Sequence, residues 1–318
     1  MMSAPDLDPG MAPAARGLTP HAHPGSPVRV AALRQALLWA MGWMALMAGA
    51  GQLRGEPLAM RVMTYNIHHA EGTDGRIDLE RIACMIRKAG ADLVAVQEVD
   101  RGVARTQRRD LPAELAALTG MTCLFTNNFH YQGGEYGNAI LTRFPVLQWT
   151  NTHLRMVRPG EQRGLLQAVL DVHGNPLVFF ATHLDSRTDD EERRQNVHEL
   201  RAAAAQHRDR PILLGGDFNA VPDSRVIAAV RETWIDMWEL AGEGPGYTSP
   251  SGKPRRRIDY LWMLRGTPAR VRRIEVLDSP ASDHAAVAAE IEWPGWTAPQ
   301  ADPQPSPPPT IEPGPPPD

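Results

Sequence analysis

The stretch "LLGGDFNAVP", Leu213–Pro222, decides how this chain is read. An apolar run leads into two glycines, after which Asp217 and Asn219 stand two positions apart. Alternate residues of an extended segment point to the same side, so the carboxylate and the amide aim together. The glycines let a neighbouring backbone come close. Chemistry is commonly fixed at such strand ends, on a rigid support. Taken alone, however, Asp and Asn after glycine also serve as turn residues that bond their own backbone, so the stretch has to be weighed with its neighbours.

The same habit recurs along the chain. Asn66 and His68 close the run in "TYNIHH", Glu98 closes "VAVQEVD", and His183 and Asp185 close "FATHLD". Asp259 stands in "RRIDYLW", and Asp283 and His284 in "SDHAAV". Together with Asp217 and Asn219 these polar ends predict one shared rim. The apolar runs themselves read as strands over 61–67, 92–99, 139–144, 165–172, 177–184, 211–218, 258–264 and 285–293. Between them, "DLERIACMIRKAG" repeats Leu79, Ile82, Ile86 and Ala89 on one helical face and ends at Gly90. A second helix is expected from Thr188, with Glu191 three residues on as a capping box. Interleaved strands and helices, with too many strands for one small sheet, point to an α/β sandwich of two packed sheets with helices outside.

Composition bounds the function. The chain has 318 residues, of which 42% are hydrophobic, enough for a sizeable core. A formal net charge of -4 provides no global field for a polyanion, which tells against tight sequence-independent nucleic-acid binding. Cys84 and Cys123 lie in no zinc-ligand spacing, and their pairing is left open. Arg29 and Arg34 precede an uncharged apolar run, Ala36–Ala50. The run is short of the roughly 20 residues a membrane span needs, so residues 1–57 read as a region with a secretory signal cleaved near Ala50, or an N-terminal anchor. The protein is expected to be secreted or periplasmic. Pro294–Asp318 holds eleven prolines and is expected to be a disordered tail, leaving 58–293 as one domain.

The motifs "TYNIH", "QEVD", "GNAILTRF", "THLD", "GGDFNA", "RIDYLW" and "SDHAAV", in this order, carry a resemblance to the endonuclease/exonuclease/phosphatase superfamily that spans Met60–Trp293. That resemblance implies a deoxyribonuclease I-like, four-layer α/β sandwich: two packed, mainly antiparallel sheets flanked by helices, with the active site at one edge. By position it implies Glu98 as a metal-binding carboxylate, with Asn66 nearby and Asp283 as a further ligand of Mg²⁺ or Mn²⁺. Asp217 resembles the residue that orients or deprotonates the attacking water, and Asn219 its partner on water and phosphate. His284, held by Asp259, resembles the histidine facing the scissile phosphate. His183 resembles a second histidine on the phosphate, with Asn138 beside it.

Residue chemistry agrees with this assignment. Carboxylate oxygens suit hard divalent ions, and a histidine paired to a carboxylate suits proton transfer. For gripping phosphate oxygens, Arg163 and Arg257, the last residue of "KPRRR", are the candidates. The expected activity is divalent-metal-dependent hydrolysis of a phosphodiester by in-line attack of water. A phosphomonoesterase or nuclease of the same fold is the alternative, as is a non-catalytic binding module. The expected partner is a phosphate ester, with a phospholipid head group or nucleic acid among the options, met by a monomer without a stable nucleic-acid complex.

Overall fold

The segment predicted to be a helix from Leu79 forms one, α1 (Leu79–Ala89), and its ends follow from its sequence. Asp78 accepts from the backbone N–H groups of Glu80 and Arg81, satisfying donors that a helix start leaves free. Gly90 ends it at φ 63°, a left-handed conformation that glycine adopts without a Cβ clash. The computed structural model describes residues 56–297. The apolar run 36–50 and the proline-rich segment beyond Thr297 lie outside the described residues.

Among the described residues, twelve strands form two six-stranded sheets. The first contains β1 (Pro57–Asn66), β2 (Leu93–Arg101), β3 (Thr122–Tyr131), β4 (Gly134–Thr142), β11 (Arg270–Leu277) and β12 (Ala286–Thr297), in the order β11-β12-β1-β2-β4-β3. The second contains β5 (Val146–His153), β6 (Gly164–Val172), β7 (Asn175–His183), β8 (Ile212–Asp217), β9 (Trp234–Asp236) and β10 (Asp259–Leu264), in the order β5-β6-β7-β8-β10-β9. Each sheet has one parallel pair, β1 with β2 and β7 with β8, and is otherwise antiparallel. The remaining helices are α2 (Leu111–Thr119), α3 (Glu191–Ala205), α4 (Arg225–Arg231) and α5 (Met237–Ala241).

Period-2 alternation along the central strands explains the layering. Leu93 and Ala95 of β2 and Leu213 of β8 face the space between the sheets, where they join Leu166, Phe179 and Leu261. Val94 and Val96 point the other way, under Ile82 and Ile86 of α1 and Leu115 of α2. Leu214 likewise packs beneath Val197 and Leu200 of α3 and Val226 and Val230 of α4. Helix, sheet, sheet and helix are thus the four layers of the sandwich.

Two expectations are corrected. The capping box at Thr188 does not form: α3 starts at Glu191 after Asp190, whose side chain caps no backbone N–H. Asp190 is instead engaged by Arg194 and Arg225, at 3.1 and 3.2 Å. The last strand also continues beyond Trp293 to Thr297, which pairs with Pro57, and Trp296 stacks on Trp293 at 4.1 Å.

The glycines of the opening stretch have a steric reason. A Cβ on Gly215 would lie 2.9 Å from that of Ala95 on the facing sheet, and one on Gly216 would lie 2.4 Å from the Thr182 carbonyl oxygen on β7. Because backbone cannot yield as a flexible side chain does, Gly216→Ala is expected to destabilise the fold by about 2–3 kcal/mol. Denaturant midpoints would report this, and a shift below about 0.5 kcal/mol would mean that β7 and β8 part easily.

Candidate active site

The predicted rim forms where strand ends from both sheets meet. Asn66 ends β1, His183 ends β7 and Asp217 ends β8, while Asp259 opens β10. His183 and Asp259 are the register partners of Asp217 on its two sides. The turn carrying Asp283 and His284 precedes β12 and is tied to β1 by Ser282, whose hydroxyl donates to the Asn66 carbonyl at 2.7 Å. Glu98 arrives differently. It sits at φ 62° in a bulge of β2, where register jumps from Val96 opposite Ala139 to Val99 opposite Gly137. Such a bulge re-aims a side chain, and this one directs the Glu98 carboxylate to the same cleft as Asp217 and His284.

The buried centre is a chain of charge. Nδ1 of His284 lies 2.8 Å from Asp259 Oδ2, and its Nε2 lies 3.9 Å from Asp217 Oδ2. Burial alone would make His284 less basic, but the charge and hydrogen bond of Asp259, with Asp217 behind, outweigh it and raise its pKa to about 10. Asp217 is pushed up to about 7 by burial and by the Asp259 charge, against the opposing influence of His284, the Asn219 N–H and Asn66. Asn219 donates its backbone N–H to Asp217 Oδ1 at 2.8 Å and its side-chain amide to the Leu184 carbonyl at 3.1 Å. His183 is the opposite of His284: burial, then Arg163 and His284, hold it well below the usual imidazole range. Arg163 can only donate to His183 Nδ1, 3.1 Å away. The Asn219 side-chain amide nitrogen, also a donor, lies 3.2 Å from Nε2, and Asp217 Oδ2 lies 3.5 Å from the same nitrogen, so donors flank the buried ring on both sides.

The cleft in front of these groups has a volume of about 520 Å³. Glu98, Arg163, His183, Asp217, Asn219 and His284 line it as predicted. Its far wall was not read from the sequence: Arg105, Phe129, Tyr131, Tyr136 and Glu161 also line it. Arg105 is bidentate to buried Asp100, at 2.9 and 2.8 Å, and lies over the Tyr131 and Tyr136 rings. The alternation of Phe129 and Tyr131 across a strand was the available signal, but polar neighbours masked it.

Arg257, Asn138, Asp283 and Asn66, also predicted, are not among the residues that line the cleft. Arg257 is not on the cleft: it is 5% exposed, paired with buried Asp236 at 2.8 Å and laid over Tyr260. Arg255 and Arg256 are exposed, so "KPRRR" splits into a solvated part and a buried strut. Arg257→Gln is therefore expected to lower stability by about 3–5 kcal/mol through the uncompensated Asp236 charge, with KM for a phosphate ester unchanged; a raised KM at full stability would restore the substrate-gripping role. Asn138 lies opposite the β2 bulge and donates to the Gly164 carbonyl at 3.1 Å, joining the two sheets behind the cleft wall. Asp283 faces His68, its Oδ1 3.8 Å from Nδ1 of that ring, and its charge also reaches His284. Asn66 stands beside Glu98: its amide donates to Glu98 Oε1 at 2.9 Å and to Asp217 Oδ2 at 3.2 Å, and its Oδ1 accepts the His68 N–H at 3.0 Å, so it orients both carboxylates.

A hard divalent ion fits this donor set. Glu98 offers a carboxylate on the cleft wall beside the space a phosphate would fill, and Mg²⁺ needs only one or two carboxylates when water and phosphate complete its shell. Cys84 and Cys123 are free thiols.

The sequence profile of the Endonuclease/Exonuclease/phosphatase family matches residues 63–284. The chain is 26% identical over 255 residues to the uncharacterized protein YbhP of Escherichia coli K12, covering 74% of this chain and 97% of that one. An endonuclease/exonuclease/phosphatase from Beutenbergia cavernae superposes with TM-score 0.61 at 25% identity, over 74% of this chain and 72% of its own. The mannosyl-6-phosphatase Bt3783 of Bacteroides thetaiotaomicron has the same fold, with TM-score 0.62 at 18% identity over 73% of this chain and 99% of its own.

Proposed function

From the premise that the chain belongs to the endonuclease/exonuclease/phosphatase family, and so is a hydrolase of phosphate ester bonds, we propose that it cleaves a phosphodiester by attack of water with a divalent cation held at Glu98. One observation carries this reading: the buried Asp217–His284–Asp259 chain opens onto the same cleft as the Glu98 carboxylate. A carboxylate whose proton affinity lies near neutrality is matched to general-base work. Asp217 takes a proton from the attacking water, and its Oδ1 is held in line by the Asn219 N–H. His284, kept protonated by Asp259, faces the charge that develops on the phosphate oxygens and returns a proton to the leaving group. His183, neutral and held between Arg163 and the Asn219 amide, offers an uncharged imidazole edge to the phosphate. A cation at Glu98 would supply Lewis-acid neutralisation of charge on the phosphate.

A diester is favoured over a monoester by charge. Both arginines on the cleft wall are already paired, Arg163 with Glu161 at 2.9 Å and Arg105 with Asp100 at 2.8 Å. Among the described residues, no unpaired arginine on this wall is left to meet the second charge of a monoester dianion, whereas a diester carries a single charge. The apolar run Ala36–Ala50 supports a place outside the cytoplasm, and a mature N-terminus near residue 51 on the purified native protein is the outcome that would support it.

The test is hydrolysis of bis-p-nitrophenyl phosphate and p-nitrophenyl phosphate by the full chain with Mg²⁺, Mn²⁺ or EDTA, beside Glu98→Gln. Metal-dependent turnover of the diester that Glu98→Gln abolishes is expected. Turnover of the monoester alone would reverse the substrate assignment. Turnover unaffected by EDTA would remove the cation from the reaction.

A further inference from the structure

Immediately after β1 the backbone does something unusual. Three consecutive non-glycine residues, His68, His69 and Ala70, are left-handed, at φ 46°, 43° and 67°. Each such residue costs on the order of 1 kcal/mol and persists only where the surroundings enforce it. The turn sets the His68 and His69 rings edge to face, 4.4 Å apart, next to Glu98. Donor atoms of His68, His69 and Glu98 all lie within 4.8 Å of one another.

Both imidazoles are held through one nitrogen. His69 Nε2 lies 3.2 Å from Glu71 Oε2, and His68 Nδ1 lies 3.2 Å from the Glu71 carbonyl oxygen. An N–H donated to a carboxylate or a carbonyl fixes the tautomer and leaves a lone pair on the other nitrogen, the arrangement that metal-ligating histidines adopt. For His69 that other nitrogen, Nδ1, is buried without any hydrogen-bond partner, in a residue only 5% exposed. An unpaired buried polar atom costs about 1–3 kcal/mol, and no neighbouring protein group relieves this one.

We propose that His68, His69 and Glu98 form a binding site for a borderline divalent ion of the Zn²⁺ kind. Two imidazole nitrogens and one carboxylate are a donor set that zinc takes with a position left open, whereas Mg²⁺ prefers an all-oxygen shell. Glu71 and Asp283, at 3.2 and 3.8 Å from the two rings, add negative charge around it. Donors around such an ion sit closer together than 4.8 Å, and the partly exposed His68 and Glu98 side chains have the freedom to close on it. Because Glu98 borders the cleft, the ion would stand at its rim; what it serves there rests on the phosphodiesterase reading, while the site itself does not.

Zn²⁺ titration of the chelator-stripped full chain by calorimetry, with Co²⁺ visible absorption as a second readout, tests the site in wild type, His68→Ala and His69→Gln. Wild type is expected to take up one more tight equivalent of Zn²⁺ than either variant, or to bind it at least about 10-fold tighter, and to show a Co²⁺ band that the variants lose. Identical stoichiometry, affinity and Co²⁺ spectra in wild type and His68→Ala would overturn it. His68 is partly exposed, so that variant keeps the test decisive if His69→Gln fails to fold. Mg²⁺-supported diester turnover in the same preparation separates the two readings. Turnover without the extra Zn²⁺ removes this site alone; the extra Zn²⁺ without turnover removes the phosphodiesterase reading alone.

Discussion

Asp217→Asn is expected to lower kcat for bis-p-nitrophenyl phosphate by about 10³-fold and to leave KM within a few-fold. The asparagine keeps the shape and can still accept from the Asn219 N–H, but it has no basic oxygen for the attacking water. Stability should move the other way. Asp217 binds its proton more tightly folded than unfolded, because burial and the Asp259 charge oppose its ionisation. A raised group of this kind contributes stability that is full below the ordinary carboxylate value of 3.8 and is lost as pH rises through about 7. At pH 8 the wild type has lost that contribution, and a neutral amide does not. The variant should therefore melt no lower than wild type at pH 8 while being nearly inactive. Parallel losses in kcat and Tm would make Asp217 a structural residue.

Asp259→Asn is expected to cost about 10²–10³-fold in kcat at pH 7, with a distinct pH signature. Asp259 Oδ2 holds His284 Nδ1 at 2.8 Å, and the Asp217 carboxylate stands farther off, 3.9 Å from Nε2. Folded His284 titrates near 10 against an ordinary 6.5, so its contribution to stability is full below 6.5 and lost as pH rises through about 10. Wild-type Tm should fall across that window. In Asp259→Asn the imidazole loses the charge that held its proton, and the fall should flatten. A retained slope between pH 7 and 10, with kcat reduced, would show that another group keeps His284 charged.

Four strands went unread in the sequence, β3, β5, β9 and β11, and they are the four sheet edges. The coincidence has a physical basis. A central strand is buried on both faces and reads as an apolar run, as "LVFFATHL" does. An edge strand meets water and must discourage pairing with another chain, so it carries charge and polar side chains. The sequence "RVRRIEVL" of β11 has four charged residues in eight, and β5 exposes Leu147 and Trp149 among polar neighbours. The site was legible for the same reason in reverse. Asp217, His183, Glu98 and Asp259 stand out because they interrupt apolar runs. Arg257 stood out for its charge, yet its partner Asp236 lies 21 positions away and only folding brings them together. The aromatic wall comes from β3, an edge strand, and its hairpin to β4, and was lost with it.

The left-handed backbone at Glu98 sets the interests of the fold against those of the site. Glycine would relax that bulge at once, since it alone adopts positive φ without a side-chain clash. A library selected only for heat resistance or expression would thus be drawn toward Glu98→Gly, and its most robust members would have surrendered the carboxylate on which hydrolysis is proposed to turn. Selection for durability and selection for turnover would diverge at this one codon, so a glutamate preserved there through a stability screen would itself be a record of function.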